Sequence, residues 1–239
     1  MKKNIKNIIL KILKFFGITR KRLAFPIFRY DIYSENGEDG VLEFIVKKIP
    51  SLPKYVIDIG ANDGINGSNS RLLIEKHNFN ALLIEPFEEA FKKIENLYST
   101  NDKVKISNYA VGCETTAEGT INWYGHFSGL KSEIIHVNDV LSQYNIPKDI
   151  GFLSIDIDGG DNDVLSAIDW DKYSPIFVIA EIDFSSDKNL QEQIDIMDKA
   201  GYVPVLHIGN VFYCRKDYSG RFLFNWKLKM ENELGFFKK

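Results

Sequence analysis

Acidic residues stand where apolar runs end along this chain. Tyr55-Val56-Ile57-Asp58 leads into Gly60 and Gly64, and Ala81-Leu-Leu-Ile leads into Glu85 and Pro86. Gly151 to Ile155 leads into Asp156, Asp158 and two glycines, and the run from Pro175 leads into Glu181 and Asp183. Short apolar runs bounded by turn residues read as strands buried on both faces. Ligands of open α/β sheets bind beyond the carboxyl ends of such strands. Asp58, Glu85, Asn108, Asp156, Asp158, Glu181 and Asp183 are therefore expected on one rim. Carboxylates placed there can accept bonds from sugar hydroxyls, hold a cation or take up a proton.

The first turn reads Asp58-x-Gly60-x-x-x-Gly64, unlike the Gly-x-Gly-x-x-Gly of dinucleotide binders. Its glycines permit a tight turn and close backbone approach to a ligand. Glu85, at the tip of the second strand, is placed for two ribose hydroxyls. Asp156 or Asp158 with Glu181 and Asp183 offers hard oxygen ligands suited to Mg2+ or Mn2+, which would lower the pKa of an acceptor hydroxyl. Without a metal, a carboxylate such as Asp158 is a candidate general base, and so is His207 at a later strand end. Plainer roles stand beside these: Asp156 orienting a cofactor ammonium or the strand-end backbone, and His207 packing. Asp156-Ile-Asp158-Gly159 also resembles a phosphatase nucleophile loop, but here a complete nucleotide-type half-sheet precedes it.

The elements that must position these groups alternate. Strands are expected near 55–59, 81–85, 105–111, 151–156 and 175–182. Helices are expected at 40–48, 69–77, 88–98, 163–170 and 190–200. Val137 to Tyr144 should begin as a strand and turn helical. This succession predicts an α/β fold with a mostly parallel, doubly wound sheet. Tyr202–His207 and Val211–Arg215 are joined too tightly for a parallel crossover, so that late pair must be antiparallel. Residues 112–135 form a polar and aromatic insertion. There Trp123, Tyr124 and Phe127 suit an acceptor wall, and His126 is a further candidate base.

The chain has 239 residues and a net charge of −3, so no global basic field points to nucleic acid. Two distant cysteines, Cys113 and Cys214, fit reduced thiols in a cytoplasmic protein. Residues 1–27 form a basic arm. Ile5, Ile8, Ile9, Ile12, Leu13 and Phe16 recur at helical spacing among lysines. Such a helix suits a peripheral contact with the inner membrane surface, a homodimer contact or cover for the domain core. No run approaches a membrane span. The main domain is read over 28–216, with an aromatic, basic extension over 217–239.

Several motifs occur together and in order: Tyr33 to Gly40, Asp58 to Gly64, Ser68 to Glu75, Leu82 to Pro86, Asn108 to Gly112, and Leu153 to Asp161. In this the chain resembles FkbM-type methyltransferases over about residues 30–215. The resemblance implies a Rossmann-like class I fold, S-adenosylmethionine as methyl donor, and cofactor contacts at Asp58, Gly60, Asn62, Gly64, Glu85, Asn108, Ala110 and Asp156. It further implies a small-molecule acceptor. Hydroxyls of sugars, surface-polysaccharide precursors or related compounds such as capsule phosphoramidate intermediates are the expected class. Typical members carry Asp-x-Glu-Gly where this chain has Asp156-Ile-Asp158-Gly159.

Overall fold

The computed structural model describes residues 30–121, 130–182 and 187–222. Helix α1 (Glu38–Lys48) opens it, with Glu38 and Asp39 in the first turn and Lys47 and Lys48 in the last, matching the helix dipole. Strand β1 (Tyr55–Ile59), α2 (Arg71–His77), β2 (Asn80–Ile84), α3 (Glu88–Tyr98) and β3 (Val104–Ser107) follow. Next come β4 (Ala110–Gly112), β5 (Thr116–Ile121), β6 (Leu130–His136) and α4 (Val137–Gln143). The rest is β7 (Phe152–Ile155), α5 (Asp161–Ala167), β8 (Phe177–Ala180), α6 (Asp187–Lys199), β9 (Tyr202–His207), β10 (Val211–Arg215) and α7 (Lys216–Phe222).

Seven strands form one sheet in the order β3-β2-β1-β7-β8-β10-β9. The pairs among β3, β2, β1, β7 and β8 are parallel, and β10 runs antiparallel to both β8 and β9. The expected doubly wound α/β sheet with a late antiparallel pair is thus present. Alternation along the strands divides the core. Val56, Leu83 and Phe152 pack with α1, α2 and α3, whereas Ile57, Ile59, Ile84 and Ile155 pack with α4, α5 and α6.

The sequence reading differs from the structure in the middle of the chain. The single strand expected over 105–111 is two strands in two sheets. The Asn108 side-chain amide donates to the carbonyls of Glu85 and Pro86 at 2.9 and 3.1 Å, which ties the end of β3 to the end of β2. After that break β4 joins a second sheet of order β4-β6-β5, built largely from the stretch read as an insertion. The expected strand-to-helix change falls at His136, whose Nδ1 accepts from the Asn138 N–H at 3.1 Å and caps α4. Asp183, Trp123, Tyr124, His126, Phe127, the 1–27 arm and residues 223–239 lie outside the described residues. Among the described residues no helix is long and apolar enough to cross a membrane.

Candidate active site

Register brings the candidate residues together. Ile59 pairs with Ile84 on one side and Ile155 on the other, and Ile155 pairs with Ala180. Ile84 pairs with Ser107, and Ala180 with Val211. One position further on therefore stands a single row across the sheet: Asn108, Glu85, Gly60, Asp156, Glu181 and Asn210. Main-chain bonds extend the ladder into that row. Glu85 N–H donates to Ser107, Asp156 N–H to Ile59 and Glu181 N–H to Ile155, each at 3.0 Å.

Gly60 is the centre of the row, and no other residue fits there. A Cβ on it would lie 1.8 Å from the carbonyl oxygen of Asp156, and its φ is +86°. Its N–H and that of Ala61 both donate to Ile84 O at 2.9 and 3.1 Å. Asn62, at φ 48°, then donates its N–H to Glu85 Oε2 at 2.8 Å, and Phe87 N–H donates to Oε1 at 2.9 Å. Glu85 is 1% exposed. Burial pushes its carboxyl up to about 7 despite those two donors. Each of its oxygens retains a further lone pair for a ligand hydroxyl.

Asp58 lies within β1 and not on the rim. It is buried, accepts from the Ser70 hydroxyl at 2.5 Å, and burial pushes it up to about 6. Gly64 packs under α3, where a Cβ would lie 3.4 Å from Ile94. These two residues and Asn108 build the site from behind. Gly60 and Ala110 line the cavity beside it.

On the other side of Gly60, one carboxylate oxygen from each of Asp156, Asp158 and Glu181 can lie within 4.8 Å of the others. Burial and the facing Glu181 push Asp156 well above the usual carboxylate range. Asp158 is raised by burial. Backbone geometry shapes this corner: Asp158, Gly159 and Gly160 have φ of 55°, 122° and 92°. Asp161 holds the loop there. Its carboxylate accepts from Ile157 and Gly159 N–H at 3.3 and 3.2 Å, and burial raises it to about 7. His207 pairs with Val211 on β10 and stands outside the row. Burial lowers its pKa.

Sequence reasoning missed three parts of the site. Asn210, 5% exposed, continues the row beside Glu181 because β10 is antiparallel to β8, and only the tight Gly209-Asn210 turn hinted at it. Asp161 looked like one more acid of the loop rather than its clamp. The third part is a cavity of about 500 Å3 on the α4 and α5 side of Gly60. Ile84, Pro86, Tyr109 and Ile157 line it, together with Gly112, Thr116 and Ile134 of the second sheet. Its volume is ordinary for a small-molecule site.

A doubly wound sheet, a glycine turn under a buried strand-end acid, and an apolar cavity beside them define a Rossmann-like nucleotide-cofactor enzyme. The sequence profile of the methyltransferase FkbM domain matches residues 58–204. The chain belongs to that family, and it is an S-adenosylmethionine-dependent methyltransferase. No curated protein matches the chain. Among solved structures it is similar to a methyltransferase from Geobacter sulfurreducens, at 13% identity and TM-score 0.47, covering 77% of this chain and 81% of that one. It is similar also to a precorrin-6y C5,15-methyltransferase from Geobacter metallireducens, at 10% identity and TM-score 0.42, covering 77% and 90%.

The residues present fit the methyl donor. The apolar cavity suits a heteroaromatic base, Glu85 at its edge suits ribose hydroxyls, and the acidic side suits a sulfonium and an ammonium group.

Proposed function

We propose that this protein methylates a hydroxyl of a sugar, a surface-polysaccharide precursor or a related small molecule, with Asp158 as the group that takes the hydroxyl proton. The carrying observation is the Asp156–Asp158–Glu181 cluster, with Asp156 and Glu181 one residue past their strand ends, Asp158 two residues further along the loop, and Asp156 next to Gly60 in the row. Bound S-adenosylmethionine supplies an electrophilic methyl group. Glu85 holds the ribose, and Gly60 leaves room over Asp156. Burial and the facing Glu181 raise Asp156, so it holds a proton more readily and can donate it to Glu181, which leaves the exposed Asp158 as the base. The acceptor oxygen would gain the methyl group as the donor's carbon–sulfur bond breaks, leaving the thioether S-adenosylhomocysteine, and would lose its proton to a carboxylate, which returns it to solvent.

A divalent cation is the second reading, favoured by the same cluster. Oxygens on opposite sides of Mg2+ lie about 4.2 Å apart, and around Ca2+ about 4.8 Å apart. A spread within 4.8 Å admits either. Asp156, Asp158 and Glu181 would then be the ligands, and the cation would acidify the hydroxyl.

Calorimetry with S-adenosylhomocysteine tests the cofactor half. Binding to the wild type and at least tenfold weaker binding to Glu85→Ala are expected, and equal binding would overturn the ribose placement. Transfer of labelled methyl from S-adenosylmethionine to a panel of sugars and polysaccharide fragments tests the acceptor half. Label found on nitrogen, or only on peptide or nucleic acid, would overturn it. Turnover that survives chelation supports Asp158 as base, and turnover restored only by Mg2+ or Mn2+ supports the cation.

A further inference from the structure

The second sheet holds two glycines that its backbone does not need. Gly112 in β4 and Gly119 in β5 are absent from the residues with positive φ. Glycine weakens a strand unless something approaches closely. Here that neighbour is Ile134 on β6, between the two glycine-bearing strands. A Cβ on Gly112 would lie 2.7 Å from Ile134 Cγ2, and one on Gly119 would lie 2.1 Å from Ile134 Cδ1. The register agrees, for Ile134 pairs with Ala110 on β4 and Thr116 on β5. The isoleucine side chain fills the space both glycines leave, and it lines the cavity beside Gly60.

Which end of the donor faces this wall follows from the proposed function, on which the inference rests. The methyl group must reach an acceptor beside Asp156, Asp158 and Glu181. The ribose is on Glu85, across Gly60 from those acids, and its neighbours Ile84 and Pro86 line the cavity. The base must therefore extend away from the acids, past Pro86 and Tyr109, toward the second sheet. We infer that Ile134, seated on Gly112 and Gly119, closes the base end of the pocket and sets how large a base it admits.

Close packing leaves a displaced isoleucine few places to go except the cavity. A methyl group added at 112 should push it there, and truncating it should deepen the pocket. The test measures binding by calorimetry, with S-adenosylhomocysteine and two analogues enlarged at N6 or C2 of the base. Gly112→Ala should weaken S-adenosylhomocysteine at least tenfold. The double variant Gly112→Ala/Ile134→Ala should return to within about threefold of Ile134→Ala alone, which generic damage to the sheet would not produce. At least one enlarged analogue should bind Ile134→Ala tenfold more tightly than it binds the wild type. Ile134→Val, which keeps the branched packing, should gain less.

If Gly112→Ala binds like the wild type, or both enlarged analogues bind Ile134→Ala no better than the wild type, the inference is overturned. The wild-type arm alone reports on the cofactor reading. A wild type that does not bind S-adenosylhomocysteine overturns that reading and the inference with it. Unchanged melting temperatures in the single variants keep lost binding apart from lost folding.

Discussion

Buried carboxyl groups lie on both sides of Gly60, and the protein accommodates them in two ways. On the β2 side, Glu85 receives one backbone N–H on each oxygen, from Asn62 and from Phe87. On the β7 side, Asp156 faces other carboxylates, and the pairing with Glu181 holds only while a proton is shared. Donors answer the first group and acids answer the second. The first is built into the resting fold, whereas the second is a polar corner whose repulsion a proton, a cation or a sulfonium can relieve. The lesson is that two acids in one row, equally legible as motifs, differ in what surrounds them and so in what they can do.

Replacing the residue between them should have the largest effect. Gly60→Ala drives a Cβ into the main-chain oxygen of Asp156, just past β7, at a φ alanine disfavours. A loss of about 4 kcal/mol or more is expected, in the range reserved for severe core damage. Chemical denaturation checks this. A variant as stable as the wild type would mean that the two sides are not held in register by this glycine.

Next in size is the response to pH. The unfolded value of Glu85 is near 4.5 and the folded value about 7, so the folded protein holds that proton more tightly. Stability from this group is full below about pH 4.5 and is lost as pH rises toward 7. At about 1.36 kcal/mol per unit, the loss approaches about 3 kcal/mol. Asp58 and Asp161, raised to about 6 and 7, act in the same direction. Denaturant midpoints of the ligand-free protein should fall between pH 5 and 7.5. A midpoint that climbs over that range would contradict the burial that raises these groups.

Much of this was legible in the sequence because strands buried on both faces leave long apolar runs. Tyr55–Ile59, Asn80–Ile84 and Phe152–Ile155 stop abruptly at turns or acids, so strand ends and rim residues could be read together. The second sheet left no such trace. Thr116–Ile121 reads Thr-Ala-Glu-Gly-Thr-Ile, too polar for a buried strand, and Ala110–Gly112 is only three residues long. Both pair with β6, where Ile134 sits over two glycines, a relation among residues some 15 to 22 positions apart that no local period shows. Asp58 misled for another reason. Its neighbours are those of a strand end, but Ser70, the residue that begins α2 as its N-cap, covers it.

The amide replacement Glu85→Gln compares the sides directly. Both oxygens of Glu85 face N–H donors, so one arm of the glutamine must turn an NH2 toward a donor. A loss of about 1–3 kcal/mol is expected, the cost of a buried group left without its partner. For a domain of this size that is a fall in melting temperature of roughly 3–10 °C. It can be read by calorimetric scanning at pH 8, where the glutamate is ionised. No change would show that Asn62 and Phe87 do not depend on the carboxylate.

The same isosteric swap on the other side should have the smallest effect on stability and the opposite sign. Asp156 meets a carboxylate, Glu181, and an asparagine amide can donate to it without needing a shared proton. Asp156→Asn also removes one of three crowded acids. The ligand-free variant should therefore match the wild type or exceed it by up to about 1 kcal/mol at pH 8, as relief of strain at a functional site commonly does. Methyl transfer should nevertheless fall, since the corner was shaped for protons or a cation and not for rest. Scanning calorimetry with and without 5 mM Mg2+, a concentration of about that order being enough to reveal a weak site by linkage, separates the uses of the corner. A wild type that Mg2+ stabilises and an Asp156→Asn variant that it does not would assign the corner to a cation. Stabilisation of neither would leave it to proton transfer. A variant that loses stability by as much as Glu85→Gln would show that the two sides are held by the same kind of bond, and the contrast between them would fail.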